Sequence, residues 1–493
     1  MHSKAASESA KFSRDMIWVA LSNIFTTALG IVLLPIMTKS YSAESYGIWT
    51  QVNLTNSFII PVLLLAFDTA IITYLAGEDD KTKRLRSLGS MFSVILIFSA
   101  IVLAVILLFA HQLSKFIFND PSYIHFVILT FLWTFVDTIY AFFISYLRAR
   151  RQILKLSIIQ VCISVSHLIV IVVLASLGFG LEWIISWMIL VDLSFAIGTI
   201  CLLIRQEGFP TLNFIGIKKF VLFSIPSVPA GLMMWVLASS DRFFITHFLD
   251  LTQTAIYSCS YLLAGMIGLF YTPIVYVLFP TISKAWEQNR KDDVKSYLEY
   301  STKLFLLLSI PAAVGLTLLS QPILKIITTS QYLAGWQLIL LVSIGTIFFG
   351  LYQINVFLIY LAKKTKLIPL AAGMATLVNV GINYALVPKI GILGGAISTV
   401  AAYFILASII FVWTKKIIVY NINFVFLGKV VFASVPMGLF LYYFKVNSAL
   451  GILLAVIGGT AIFAISIFLL RTFSVQDKQL IKQTLTGLIS RLH

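Results

Sequence analysis

Five charged residues stand inside long apolar runs: Asp68, Asp137, Asp192, Asp241 and Arg242. At the centre of a bilayer such a group costs at least about 2.5–3.5 kcal/mol, so each one demands a partner, a wet cavity or a function. Arg242 is the only cation deep in any run. A buried guanidinium can hold a phosphate through two parallel hydrogen bonds, which makes Arg242, with its neighbour Asp241, the first candidate for an anionic substrate. The alternative is an ion pair with Asp68 or Asp137 that ties two helices together. Adjacent helical positions lie about 100° apart, so Asp241 and Arg242 are expected to face different neighbours rather than close on each other. Asp68, Asp137 and Asp192 are candidates for binding a coupling cation, H+ or Na+; otherwise they balance buried donors. Asp192 is expected closest to a membrane interface.

Neutral polar groups form a second layer. Asn53, Asn56 and Ser57 share a helical face in one run, and Asn379 and Asn383 do so in another, with Tyr384 one residue further round. Such groups can line a wet cavity for a hydroxyl-rich ligand, or bond helix to helix at only about 0.6 kcal/mol each. His167 reads as a packed histidine. Cys162, Cys201 and Cys259 fall inside apolar runs without paired spacing, as small packing residues rather than metal ligands. No phosphate-binding glycine loop, HExxH or serine–histidine–acid set occurs, so neither catalysis nor a metal centre or cofactor is expected.

The elements that position these groups are apolar runs. Hydrophobic residues make up 60% and charged residues 11% of the 493, against roughly 25% charged in soluble domains. About fourteen runs reach the ~20 residues that cross a hydrocarbon core, continuous rather than alternating, which predicts helices and not a barrel. The first begins near Met16, the ninth near Ser301 and the last near Ala449. The segment from Ser283 to Tyr300 reads as a surface helix or solvated loop, and the tail past Arg471 as an interfacial amphipathic helix. Proline inside several runs (Pro61, Pro226, Pro229, Pro273, Pro311) invites kinks.

Positive charge gathers in alternate connections, among them Lys81–Arg86, Arg148–Lys155, Lys284–Lys303 and Lys363–Lys366, and at both ends of the chain. The intervening connections hold only Lys39, Lys115, Lys325, Lys389 and Lys445. This asymmetry predicts an even number of spans with both termini cytoplasmic. The net charge of +16 therefore reflects topology and anionic lipid, and nucleic acid is not expected as a partner.

Sliding the halves past each other by roughly 210 residues aligns three stretches, which predicts a repeat. Thr38–Trp49 falls on Thr246–Tyr257, the Tyr-Leu at 146–147 on that at 360–361 with basic residues following, and Gly178 with Gly180 near Gly391 with Gly394. The expected fold is an all-α integral membrane protein with a six-helix lobe at 1–210 and a second at 211–415. Residues 416–493 supply two further helices and the tail. Both lobes start on the same side, so the repeat is parallel.

The stretch LPIMTKSYSAESYGIWTQ resembles the start of Wzx-type polysaccharide flippases of the multidrug/oligosaccharidyl-lipid/polysaccharide exporter superfamily. YLRARRQILKLSIIQ is similar to their loop after span four. SIPSVPAGLMMWVLASSDRFFITHFLDLTQTAIYSCSY resembles their seventh and eighth spans, and KKTKLIPLAAGMATLVNVGINYALVPKIGILGGAISTVAAY their eleventh and twelfth. The resemblance covers essentially the whole chain and implies a MATE-like architecture.

By that resemblance the chain would be a flippase and not an enzyme. It would move undecaprenyl-diphosphate-linked oligosaccharide units across the bacterial inner membrane by alternating access, for O-antigen or capsule. A polysaccharide polymerase and a chain-length regulator would be its protein partners. Arg148 or Lys39, near span ends, would supplement Arg242 in a cationic cavity, although the spans hold more acids than bases. Rival readings are a cation-coupled drug antiporter or a lipid II flippase of the same superfamily, and a membrane-embedded polymerase or ligase. The first usually stops at twelve spans, and the last usually carries a large outward loop that is not seen here.

Overall fold

A computed structural model describes residues 2–420, 423–446 and 448–472. The amphipathic helix expected past Arg471 lies, from residue 473 on, outside the described residues. Among the described residues every regular element is helical. Twelve helices are long and apolar enough to cross a membrane, and fourteen spans result if each of two bent pairs counts as one.

Packing divides the chain into two compact units, Met1–Ala255 and Ile256–His493. The first contains α1 (His2–Ser40), α2 (Ala43–Leu63), α3 (Phe67–Leu75), α4 (Lys81–Leu108) and α5 (Ala110–Phe118). It continues with α6 (Ile124–Ala149), α7 (Ile153–Ser176), α8 (Leu181–Glu207), α9 (Ile217–Ser224) and α10 (Val228–Phe248). Next come α11 (Leu251–Gly265), which carries the boundary, α12 (Gly268–Glu287), α13 (Lys291–Leu318), α14 (Ser320–Ile327) and α15 (Trp336–Leu361). The chain ends in α16 (Leu367–Ile390), α17 (Ile392–Lys415), α18 (Phe424–Tyr443) and α19 (Ala449–Leu469).

Local chemistry sets these boundaries. Ser42, Asp80, Asn423 and Ser448 each accept a backbone N–H at a helix start, meeting donors the helix leaves open. Past Pro61 the second span breaks at Leu64–Ala66, where Leu65 and Ala66 are left-handed (φ 51° and 53°), and α2 meets α3 at 47°. The eighth span breaks at Met266–Ile267, with 46° between α11 and α12. Pro226 sits in a short 3-10 turn, Ile225–Ser227, that joins α9 to α10. Pro311 is carried within α13 without a break.

The connection Ser283–Tyr300 is neither a separate surface helix nor a loop. α12 and α13 run into it from both sides and turn at Gln288–Arg290. Asp292 and Asp293 sit in the first turn of α13 and Arg290 pairs with Asp293 at 2.7 Å, so charge supports a helix start that hydropathy alone placed ten residues later.

In the first unit an apolar core forms around Phe67, Ile71, Leu88, Met91, Phe142 and Phe143, with Phe220 of α9 packed into it. In the second, Phe305, Ile354, Leu358 and Tyr420 anchor another. There α16 and α17 close to backbone contact, because a Cβ on Gly394 would lie 2.7 Å from the Leu386 carbonyl carbon.

Candidate functional site

Asp241 and Arg242 are both buried, at 2% and 7% exposure, near the end of α10. The guanidinium folds back: Nη1 donates to Asp241 Oδ1 at 3.0 Å and to the Ala238 carbonyl at 2.8 Å. The adjacent pair therefore does bond to itself, contrary to the expectation from helical spacing. The arginine arm is long enough to span the angular gap that separates the two Cβ atoms, and Asp241 Oδ1 also accepts the Arg242 backbone N–H at 2.9 Å.

The neighbour that fixes this segment is Gln51 on α2, a residue the sequence reading passed over. It is fully buried, and its Nε2 donates to the Arg242 carbonyl at 3.0 Å and to Thr246 Oγ1. Thr246 in turn shares a hydrogen bond with Thr254 at 2.6 Å. Gln51 Oε1 is buried without a partner. An amide in an apolar run was the available signal, no weaker than that of the neighbouring asparagines Asn53 and Asn56.

A second cluster joins helices of the first unit. Asn56 of α2 donates to Asp137 Oδ2 of α6 at 2.8 Å. The Asp137 and Asp192 carboxyls lie close to each other in this cluster. Asp192 of α8 is held further by Trp133 Nε1 at 2.6 Å and by His167 Nε2 of α7 at 2.7 Å. Asp192 is only 1% exposed, so it is a core residue. His167 is packed, with its side chain 23% exposed, and it also bonds a carboxylate. Tyr140 adds a buried hydroxyl.

The remaining candidates scatter. Asp68 lies in the first turn of α3, just past the break in the second span rather than in mid-helix, where the helix dipole favours a carboxylate. Asn53 turns back to the Trp49 carbonyl of its own helix at 2.7 Å, while Ser57 accepts from Trp235 Nε1 at 2.9 Å. Asn383 donates to Asn379 Oδ1 at 3.1 Å, and Asn379 donates to Ser398 of α17 at 3.4 Å. Tyr384 is 68% exposed. Lys39 and Arg148 are exposed in the last turns of α1 and α6.

Arg242 is not alone as a buried cation. Arg84, counted with the loop charges, is 5% exposed in the first turn of α4. It pairs with Glu207 of α8 and donates to Tyr146 Oη of α6 at 3.0 Å. Arg150 approaches the other Glu207 oxygen at 3.4 Å.

The second unit holds an apolar cavity of about 450 Å3. Its wall includes Phe270 of α12, Pro311, Ala312 and Gly315 of α13, and Met437 and Gly459 of α18 and α19. No group of three metal-ligating side chains occurs among the described residues.

A family model described as "Polysaccharide biosynthesis protein" matches residues 41–337. An uncharacterized membrane protein of Methanocaldococcus jannaschii is 27% identical over 176 residues, 35% of this chain and 34% of that protein. A probable lipid II flippase MurJ of Haemophilus influenzae is 27% identical over 206 residues, 38% of this chain and 40% of that protein. The chain thus matches well under two thirds of the length of these curated relatives, 34% and 40%. Among solved structures, lipid II flippase MurJ in an inward closed conformation superposes with a TM-score of 0.78 at 16% identity, covering 92% of this chain and 99% of that one. An inward-facing multidrug resistance MATE family transporter of the MOP superfamily gives 0.68 at 12% identity, covering 80% and 94%. At these identities the likeness is one of fold.

Proposed function

The chain belongs to the polysaccharide biosynthesis protein family, and we propose that it is a flippase for undecaprenyl-diphosphate-linked oligosaccharide units. It would act by alternating access in the bacterial cytoplasmic membrane, with both termini cytoplasmic, and would serve O-antigen or capsule assembly beside a polymerase and a chain-length regulator. The observation that carries this reading is the apolar cavity of about 450 Å3 walled partly by α18 and α19. A hydrocarbon tail has use for such a slot beside a polar cavity, whereas a soluble cation does not. The bends of 47° and 46° in the second span of each half support two six-helix lobes, since interrupted helices at matching positions mark the centre of a repeat transporter.

Within that frame Arg242, with Asp241, faces the diphosphate, supplemented by Arg148 or Lys39. Asn53, Asn56, Asn379 and Asn383 contribute polar surface for sugar. Coupling runs through the Asp137–Asp192 pair, with Asp68 as a separate acid. A proton suits the pair better than Na+, because its neighbours include the hydrogen-bond donors Asn56 and Trp133 rather than further acidic oxygens.

A lipid II flippase is the second reading, favoured by the MurJ relative and fold. Deletion with complementation decides between them. Loss of surface polysaccharide with lipid-linked repeat units trapped on the cytoplasmic leaflet is expected. Trapped lipid II would favour the second reading, and intact polysaccharide with raised drug sensitivity would overturn both.

A further inference from the structure

The helices α2–α3 and α9–α10 run side by side, and each is broken partway along. The first breaks at Leu64–Ala66, the second at the 3-10 turn Ile225–Ser227. On one side of the breaks, towards the basic connections, α3 and α9 meet through apolar and aromatic groups. Tyr74 lies 5.5 Å from Phe220 and 5.1 Å from Phe223, ring to ring, and Phe220 is embedded in the core of the first unit.

On the other side, α2 and α10 meet largely through groups that water can satisfy. Trp235 donates to Ser57, Gln51 donates to the Arg242 carbonyl and to Thr246, and Thr246 bonds Thr254. Phe58 packs against Trp235 with ring centroids 4.7 Å apart and planes tilted by 52°. Beyond the seam, Gly47 of α2 meets the start of α11, where any Cβ would lie 2.0 Å from the Leu251 carbonyl oxygen. From Gly47 to Ser57 a helix rises ~15 Å, about half of a ~30 Å hydrocarbon core. This half lies at the connections that carry almost no positive charge, the outer side by the positive-inside pattern.

We propose that this α2–α10 seam is a gate on the outer side and that Gln51 is its latch, an inference that rests on the alternating-access reading above. The chemistry suits a contact that opens and closes. When the seam parts, water hydrates the Gln51 amide, the Arg242 carbonyl and both threonine hydroxyls. It also reaches Gln51 Oε1, which the closed seam leaves without a partner. That orphaned oxygen keeps the closed state from being too stable to leave. Apolar packing of α3 on α9 holds the other halves together, and the two breaks serve as paired hinges. Through the Arg242 carbonyl, Gln51 also positions the helical turn that carries the Asp241–Arg242 pair.

Two measurements on the full-length protein in cells test this, with Cys162, Cys201 and Cys259 replaced by alanine. In the first, Thr254→Cys reports opening, because Thr254 is fully buried in the closed seam. Its labelling by a membrane-impermeant thiol reagent added outside should rise roughly fivefold on Gln51→Ala, the shift that losing an ordinary hydrogen bond produces in a two-state equilibrium. Unchanged labelling would overturn the latch whatever the protein transports. In the second, Ser57→Cys with Trp235→Cys is bridged by a short reducible bis-methanethiosulfonate. Export should stop on bridging and return with reductant. Undiminished export with most molecules bridged would overturn the gate. Absence of export by the reduced pair and by the unmodified chain alike would instead count against the flippase reading.

Discussion

His167 Nε2 lies 2.7 Å from Asp192 Oδ1, and Trp133 Nε1 donates to the other oxygen of that carboxyl at 2.6 Å. Helices α6, α7 and α8 thus converge on one carboxyl, beside which Asn56 of α2 donates to Asp137 of α6 at 2.8 Å. Asp137→Asn and Asp192→Asn should each abolish gradient-driven export while leaving abundance in the membrane near normal, because an amide can still donate and accept within the cluster. Export measured with and without a protonophore checks this. An Asp137→Asn protein that still exports and still responds to the protonophore would remove the pair from coupling. His167→Gln should keep export, because the amide can still bond the Asp192 carboxyl.

Arg242 and Asp241 form a buried pair at 3.0 Å, so removing one charge takes a close partner from the other. Arg242→Ala should abolish export and also lower abundance, since breaking a buried ion pair from one side costs about 3–5 kcal/mol. Arg242→Lys should retain some export. The double change Asp241→Asn with Arg242→Gln separates the two effects, restoring abundance but not export. Export by the double variant at the unmodified rate would leave Arg242 with a purely structural role.

Arg84 and Glu207 predict stability without function. Arg84→Ala leaves Glu207 with Arg150 as its remaining cation, at 3.4 Å, and should destabilise the first unit by about 3 kcal/mol. Arg84→Met with Glu207→Leu should recover most of that loss. Thermal aggregation of the detergent-solubilised protein measures both, and equal melting of the single and double variants would contradict the pairing.

The apolar cavity can be filled from its wall. Ala312→Trp should cut export at least tenfold with normal abundance if the slot receives a hydrocarbon tail, because an indole projecting from the wall would obstruct the ~450 Å3 cavity. Export of lipid-linked units at the normal rate would take the cavity out of the transport path.

Gly89 tests the connection that follows α8. A Cβ there would lie 2.0 Å from the Thr211 carbonyl oxygen, a segment also held by Asn213 on Ser93 at 3.1 Å. Gly89→Val should sharply reduce abundance, whereas Gly198→Val, with nothing within 4 Å, should not. Immunoblots of membrane fractions distinguish the two.

Much of this was legible in the sequence because a bilayer enforces simple rules. The last span, expected to begin near Ala449, begins there in α19, since hydrocarbon thickness fixes the length of an apolar run. The ninth span was misplaced by ten residues because Lys291–Tyr300 is helical but charged, a helix that protrudes beyond the apolar window. Hydropathy sees only the part in lipid.

The polar residues were visible as a set, but their partners were not. Sequence spacing located Asp137, Asp192, His167, Asp241, Arg242, Asn379 and Asn383 inside apolar runs. It could not say that Asp192 would gather Trp133, His167 and Asp137, or that Arg242 would close on its own neighbour. It gave Gln51 no distinction from any other amide, although Gln51 spans to the Arg242 carbonyl 191 positions away. Composition along the chain determines where each helix must lie against the bilayer, because that is a transfer energy summed residue by residue. Which side chains then meet depends on how each helix is rotated, bent and packed. A rotation of one residue moves a carboxylate from lipid to core, and only the tertiary structure decided that.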